Sequence, residues 1–434
     1  MNPIFNTDAY KLSHKKFETE GTEYTQANMT PRSFRLSKID LEGAVVFGTQ
    51  RMVKRLIKHW NKKFFKRSKK KVINEAYRIF KPYLGMSRED LKHFEDLHDI
   101  GYLPLMIRGL PEGTIVNEKM PILTITNTVQ GYAWLVTYLE TWISTEMWAP
   151  MTTATNIYHF RKLCNKWANA TTGSTIGTEF QLHDFSYRGQ GPSEAGPNGL
   201  GFLLSSYGTD TIPAILEAEK YYDANVETEL VAASVPATEH SVTCVGIAVN
   251  GEKETMRDWI TDKYPTGIVS IVADTLDFFK VITEYAADLK EDILNRQPNE
   301  LGLAKVVFRP DSGDPVKILT GYTDDEIQWQ EEHNSYVELA TDKKLSAAEI
   351  KGAVECLWDE FGGTTTEQGY KILHERVGLI YGDSITYDRA EKIFERLAAK
   401  GFASINCVLG VGSYTIRYVT RDTLRSAIKV TYAQ

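Results

Sequence analysis

From about residue 176 onward, short apolar runs recur, and each ends in polar residues: "TEFQLHDFSYRG", "ELVAASVPATEHS", "GIVSIVADT", "KVVFRPDSG", "VGLIYGDS" and "ASINCVLGVGS". Several stretches between them, such as "LDFFKVITEYAADLKEDIL" and "YDRAEKIFERLAAKGF", carry apolar residues at helical spacing. Strands alternating with helices build a parallel sheet, and this many units predict a closed or nearly closed barrel. The expected fold class is therefore α/β. An irregular parallel α/β barrel is expected over residues 176–400, with a second, β-rich α+β domain formed by residues 1–175 and joined by 401–434. A chain of 434 residues is long for one compact core, which agrees with two interlocked parts.

The N-terminal part reads differently. Gly48 to Phe80 predicts helix, with Met52, Val53, Leu56, Ile57, Trp60 and Phe64 at helical spacing. Its basic cluster, Lys62 to Lys71, reads as a solvated helical face. Residues 101–127 predict short strands broken by Pro and Gly, and "YAWLVTYLETWISTEMW" predicts a buried helix. The polar, acidic stretch 316–368 is expected to be a helical excursion between two strands.

Bulk properties remove several function classes. With 42% hydrophobic and 25% charged residues the chain is neither disordered nor fibrous. A net charge of −7 argues against nucleic acid as a partner. Cys164, Cys244, Cys356 and Cys407 lie far apart, which fits reduced thiols rather than a disulfide framework or a zinc site. "MNPIFNTDAYKLSHKKF" lacks the apolar stretch of a signal peptide, and no segment approaches the ~20 apolar residues of a membrane span. A cytoplasmic protein with no membrane partner is expected.

Parallel strands would converge their C-terminal residues on one face: His183, Asp184, Phe185, Arg188, Glu239, His240, Asp274, Arg309, Asp311 and Asp383. Arg188 and Arg309 offer rigid donor forks for phosphate or carboxylate. Asp311 and Asp383 suit sugar hydroxyls or Mg²⁺, which prefers oxygen ligands. Gly410 and Gly412 of "LGVGS" let backbone N–H groups approach an anion. Phe185 and Tyr187 beside Arg188 suit a flat heteroaromatic ring, although Phe185 reads equally as a core side chain. His183 reads as a hydrogen-bonded structural histidine. His240, next to Glu239 in "SVPATEHS", suits an acid, a base or a phosphate acceptor. Together the set points to a phosphorylated sugar and a second, flatter substrate.

The stretches "TDAYKLSHKK", "LHDFSYRG", "GTDT", "SVPATEHS", "VADT", "RPDSGDP", "GYKIL", "YGDS" and "TRDTLRSAIK" run in order through nearly the whole chain. In them the sequence resembles the nicotinamide-using branch of the type II phosphoribosyltransferase family. The resemblance implies a pentosyltransferase that joins nicotinamide to phosphoribosyl pyrophosphate, with Mg²⁺, with ATP as co-substrate, and as a homodimer sharing its active sites. It implies that Phe185 stacks one face of nicotinamide and Tyr10 of a partner subunit the other. Arg188 and Asp210 would contact the amide. Asp8 would lie in a ribose-binding turn, Ser270 in the substrate-binding set, and Arg309, Asp311, Gly382 and Asp383 around the ribose and its phosphates. Gly412 and Ser413 would approach the 5′-phosphate, while Arg32, Arg421 and Lys429 would bind phosphates partly across the dimer. His240 would be phosphorylated from ATP, with Glu239 and Asp274 as acidic neighbours.

Two departures stand out. "LGVGSYT" is poorer in glycine than the family's phosphate loop, and the family's tail continues beyond Lys429, with one more lysine, where this sequence stops at Gln434. The same reaction on nicotinate is one alternative. Asp210 would repel its carboxylate, which favours nicotinamide. A non-catalytic nucleotide-binding protein on the same fold is another. A barrel aldolase lacks the necessary lysine at an apolar strand end.

Overall fold

The computed structural model describes residues 1–434. Six parallel strands form the sheet that organises the molecule: β1 (Leu182–Asp184), β2 (Gly208–Thr209), β3 (Gly267–Val272), β4 (Ala304–Arg309), β5 (Val377–Tyr381) and β6 (Val408–Val411). Their spatial order is β2-β1-β6-β5-β4-β3, and every pairing is parallel. The apolar runs explain the burial. In β4, Val306 and Phe308 are fully covered, and all of β5 is buried. The amphipathic helix Tyr387–Ala399 contributes Ala390, Ile393, Phe394 and Leu397 to the core.

The two edge strands of this sheet do not pair with each other. Residues 233–238 bridge them instead, with Ala233 paired to Gly208 and Ala237 to Ser270 in the parallel sense. Thr209 N–H donates to the Ala233 carbonyl at 3.0 Å and Ser270 N–H to the Pro236 carbonyl at 2.9 Å. This irregular seam closes the curl of the sheet and delivers Glu239 and His240 to the same end as the strand termini.

The second unit is an antiparallel sheet of Thr25–Thr30, Leu105–Gly109, Leu123–Asn127 and Ala427–Ala433, with Thr25–Thr30 paired to both Leu123–Asn127 and Ala427–Ala433. Helices Thr49–Trp60 and Lys69–Leu84 lie in the same N-terminal part, and helix Glu140–Thr172 runs on from Ala133–Tyr138. A single apolar cluster of 73 buried residues, from Ile4 to Ile428, runs through both units, so they share one core. Between them, buried Arg51 pairs with Glu146 at 2.7 Å and with Glu217, which joins three helices. Such a buried triad is costly to break from one side. No helix is long and apolar enough to cross a membrane.

Two expectations change. Val408–Val411 is a barrel strand, so the barrel extends past residue 400 and only Ala427–Ala433 returns to the antiparallel sheet. The excursion 316–368 is helical only in part. It contains an antiparallel hairpin, Ile327–Gln330 with Ser335–Glu338, before helices Ala347–Lys351 and Ala353–Phe361.

Candidate active site

Arg309 is the last residue of β4 and nearly buried, with its guanidinium at the centre of the barrel mouth. Its Nη2 donates to the Thr238 carbonyl of the seam at 2.8 Å. Its Nε lies 3.4 Å from Asp311 Oδ1, and its Cζ 6.0 Å from the centre of the Phe185 ring. The guanidinium therefore connects an acidic side of the mouth to an aromatic side. Asp314, the other acid of "RPDSGDP", serves the backbone: its Oδ1 caps helix Pro315–Thr320 by accepting from Val316 N–H at 2.9 Å.

On the aromatic side, Phe185 follows β1 and its N–H donates to the Val411 carbonyl at 3.0 Å. Its ring sits 4.5 Å from that of His183, tilted by 35°. His183 Nε2 lies 2.9 Å from Asp210 Oδ1, which also accepts from Ser234 Oγ at 2.6 Å. His183 is thus the hydrogen-bonded histidine its pattern predicts. Burial opposes ionisation of Asp210, but the bonds from His183 and Ser234, with the charge of Arg309, outweigh it and hold this carboxyl below its usual range. Asp210 therefore presents a negative charge at His183, whose ring lies against Phe185. Arg188 lies exposed on the adjoining turn Tyr187–Gly189.

On the acidic side, Asp274 follows β3. Its Oδ2 accepts from Asp311 N–H at 2.9 Å, and its Oδ1 faces His240 Nε2 at 3.6 Å. Asp311 Oδ2 lies 4.0 Å from the same nitrogen, and Thr275 Oγ1 3.2 Å from His240 Nδ1. His240 opens helix His240–Asn250 and is half exposed. Glu239 turns its carboxylate to Ser241 Oγ, so the acids facing the imidazole are Asp274 and Asp311. Burial raises the Asp311 pKa; Asp274 and Asp383 add to this, while Arg309 and His240 oppose it.

Glycines make room for this cluster. A Cβ on Gly382 would stand 1.7 Å from Asp311 Oδ1, and one on Gly412 would stand 2.6 Å from Asp383 Oδ1. Gly410 serves strand packing instead, since a Cβ there would meet the Tyr381 carbonyl at 2.5 Å. Asp383 Oδ2 accepts from Ser384 Oγ at 3.0 Å, and Ser384 itself has a left-handed φ of 61°. Ser413 begins the short helix after Gly412. Ser270 holds the seam through its backbone N–H.

Asp274 Oδ1 and Asp311 Oδ1 are buried acceptors without a hydrogen-bond donor. With the raised Asp311 pKa, they fit a divalent cation that neutralises the cluster. No three His, Cys, Asp or Glu side chains converge on one point. The donor set therefore suits an ion that shares its coordination with a substrate and waters.

Five predicted residues lie in the antiparallel unit, and their polar partners are found there. Asp8 accepts from Thr141 Oγ1 at 2.6 Å, and Tyr10, 61% exposed, lies beside His14 and Lys11. Arg32 Nε donates to the Arg425 carbonyl at 3.1 Å, Arg421 lies beside Asp422, and Lys429 stands opposite Asn28. Thr238, Ser234 and Thr275, which fix Arg309, Asp210 and His240, are not among the residues that sequence reasoning singles out. Small hydroxyl residues carry no spacing signal of their own.

Residues 180–434, more than half of the chain, match the nicotinate phosphoribosyltransferase (NAPRTase) family. Over 439 aligned residues the chain is 49% identical to the nicotinamide phosphoribosyltransferase of Acinetobacter baylyi, covering 100% of this chain and 83% of that protein. It is 32% identical over 337 residues to the nicotinamide phosphoribosyltransferase of Mycoplasma pneumoniae, covering 76% and 65%. In fold it is similar to the nicotinate-nucleotide pyrophosphorylase from Pyrococcus furiosus, with a TM-score of 0.55 at 14% identity over 99% of this chain and 75% of that one. It is likewise similar to human nicotinic acid phosphoribosyltransferase, with a TM-score of 0.53 at 14% identity over 98% and 74%.

Proposed function

The chain belongs to the nicotinate phosphoribosyltransferase family, and from that premise we propose that it is a pentosyltransferase joining nicotinamide to phosphoribosyl pyrophosphate. The observation that carries this reading is the position of Arg309, whose guanidinium spans the distance between the Phe185 ring and the Asp311 carboxylate. A flat ring on Phe185 and a ribose held by Asp311 and Asp383 would meet in front of it.

In the reaction the pyridine nitrogen of nicotinamide forms a bond to C1 of the ribose while the C1–O bond to diphosphate breaks. The transition state resembles an oxocarbenium ion, so positioning and charge stabilisation do most of the work. Phe185 orients the ring. Asp210, ionised, accepts from the carboxamide N–H₂, and the same charge repels the carboxylate of nicotinate. Arg309 and the backbone at Gly412 and Ser413 meet phosphate oxygens. Asp274 and Asp311 would hold Mg²⁺, which when bound neutralises the departing diphosphate.

The proposed enzyme is a homodimer. Helix His240–Asn250 leaves Val242, Val245 and Val249 half or more exposed directly after the candidate catalytic histidine, which supports an interface at the site. A partner subunit would bring Tyr10, Asp8, Arg32, Arg421 and Lys429 to this mouth. ATP would transfer its γ-phosphoryl group to His240 and leave as ADP, with Asp274 and Asp311 at 3.6 Å and 4.0 Å from the ring Nε2 to orient the imidazole.

Pure protein incubated with phosphoribosyl pyrophosphate and Mg²⁺ should convert nicotinamide to nicotinamide mononucleotide and should form far less nicotinate mononucleotide from nicotinate; turnover of nicotinate alone would defeat the proposal. For the ATP step, His240→Ala should lose ATP stimulation and keep some ATP-independent synthesis. Radiolabelled ATP should leave acid-labile phosphate on the unmodified chain only, and equal labelling of the variant would remove His240 from this role.

A further inference from the structure

Behind the aromatic side of the mouth lies a carboxyl group that takes no part in the proposed chemistry. Asp184 ends β1 and is fully buried. Successive side chains on a strand point to opposite faces. His183 meets Asp210 at the mouth, so Asp184 points away from it. Helix Ala195–Leu203 closes the space behind, where a Cβ on Gly199 would stand 3.4 Å from Asp184 Oδ2 and 2.9 Å from Thr211 Cγ2.

Every donor to this carboxyl group lies next to a residue placed against the pyridine. Oδ1 accepts from Ser186 N–H at 2.9 Å and from Ser186 Oγ at 2.6 Å, which fixes the turn carrying Phe185 and Arg188. Oδ2 accepts from Thr209 Oγ1 at 3.4 Å, and Thr209 Oγ1 accepts from Thr211 N–H at 2.9 Å, so these bonds bracket Asp210. The Asp184 carbonyl accepts from Asp210 N–H itself at 3.0 Å. Ser186 Oγ also accepts from Gln190 Nε2 at 2.7 Å, and Gln190 Oε1 accepts from Asn198 Nδ2 at 2.6 Å, which ties the far end of the turn to the helix behind. A carboxyl group is costly to bury, and an apolar side chain would fill this place at lower cost. What the carboxyl group adds is a fixed geometry between two segments.

We infer that Asp184 is a positioning residue for the pyridine: it fixes the spacing between the Phe185 ring and the Asp210 carboxylate by holding both segments from behind. This inference rests on the proposed use of nicotinamide at the mouth and extends it to a residue that does not touch the ring. Arg309, Asp311 and Asp383 stand at other strand ends and make none of these bonds. Loosening Asp184 is therefore felt at the pyridine and not at the sugar phosphate.

The test is steady-state kinetics of the full chain with each substrate varied in turn. Asp184→Ala should raise KM for nicotinamide at least about tenfold and narrow the preference over nicotinate, while KM for phosphoribosyl pyrophosphate stays within about twofold. Asp184→Asn, whose amide oxygen can keep both Ser186 bonds, should return the nicotinamide KM to within about threefold of the unmodified chain. If Asp184→Ala fails to fold, Ser186→Ala and Thr209→Val decide the matter. Each should raise the nicotinamide KM about fivefold, and the double variant should fall short of the product of the two, because both act through one carboxyl group. An unmoved nicotinamide KM, equal shifts in both KM values, a loss in Asp184→Asn as large as in Asp184→Ala, or a fully multiplicative double variant would overturn the inference. Absence of nicotinamide mononucleotide from the unmodified chain would instead overturn the proposed function, and this inference with it.

Discussion

The barrel and the antiparallel unit treat their functional candidates in opposite ways. In the barrel, residues from His183 to Ser413 meet because parallel strands, and the seam that closes them, end on one face. There they hold one another: Arg309 reaches Thr238 and Asp311, Asp274 holds the Asp311 backbone, and Asp210 holds His183. In the antiparallel unit, Asp8, Tyr10, Arg32, Arg421 and Lys429 are all exposed, and their contacts stay within that unit. One unit is organised before substrate arrives. The other presents cations and a ring outward, as surfaces do that complete a neighbour's site.

The largest effect is expected where the barrel's internal order is disturbed. Gly382→Ala forces the Asp311 carboxylate to move, because the new methyl would overlap its oxygen. A displacement on the order of 1 Å should lower kcat/KM about 100-fold while circular dichroism and Tm stay near normal. An unchanged rate would remove Asp311 from the chemistry.

Mixing two chains sharpens the other half. Tyr10→Ala and Phe185→Ala should each be nearly inactive as homodimers if both rings enclose one nicotinamide. After subunit exchange, half the dimers are mixed and each has one intact site, so activity should rise towards about a quarter of the unmodified level. No rise after verified exchange would mean that Tyr10 serves its own chain.

A smaller effect is expected at Asp210. Asp210→Asn removes the charge that opposes a carboxylate, so the preference for nicotinamide over nicotinate should narrow by about tenfold or more. The ratio of kcat/KM for the two pyridines measures this, and a constant ratio would place specificity elsewhere. The smallest change belongs to the exposed unit. Arg421→Ala loses one solvated phosphate contact and should raise KM for phosphoribosyl pyrophosphate about twofold to fivefold with kcat unchanged. A collapse of kcat instead would mean that this surface is as organised as the barrel mouth.

The barrel is legible in the sequence because strand and site share a signal. In "VVFRPDSGDP" a covered strand stops at Arg309 and Asp311, and both lie at the mouth. Asp314, three residues on, looks the same in sequence and is a helix cap, since cap and ligand use the same carboxylate chemistry. The seam at residues 233–238 lies within "ELVAASVPATEHS", which reads as one of the strand-like runs, yet it forms only isolated bridges and no regular strand. "ASVPAT" contains a proline, has no alternation, and pairs through only a few backbone bonds. The hairpin Ile327–Glu338 hides within a stretch that predicts helix, because its polar residues carry no apolar period.

The pairing of Thr25–Thr30 with Ala427–Ala433 has a consequence for how the protein is made. The later strand leaves the ribosome about 400 residues after the earlier one, which at ordinary elongation rates is roughly 20–80 s. Once Leu123–Asn127 has emerged, Thr25–Thr30 has only that strand beside it, and its other edge is an open template for any passing strand. The barrel is complete before that edge is covered. Nascent chains should therefore lean on chaperones at their N-terminal sheet, and truncations just before Ala427 should aggregate through that edge.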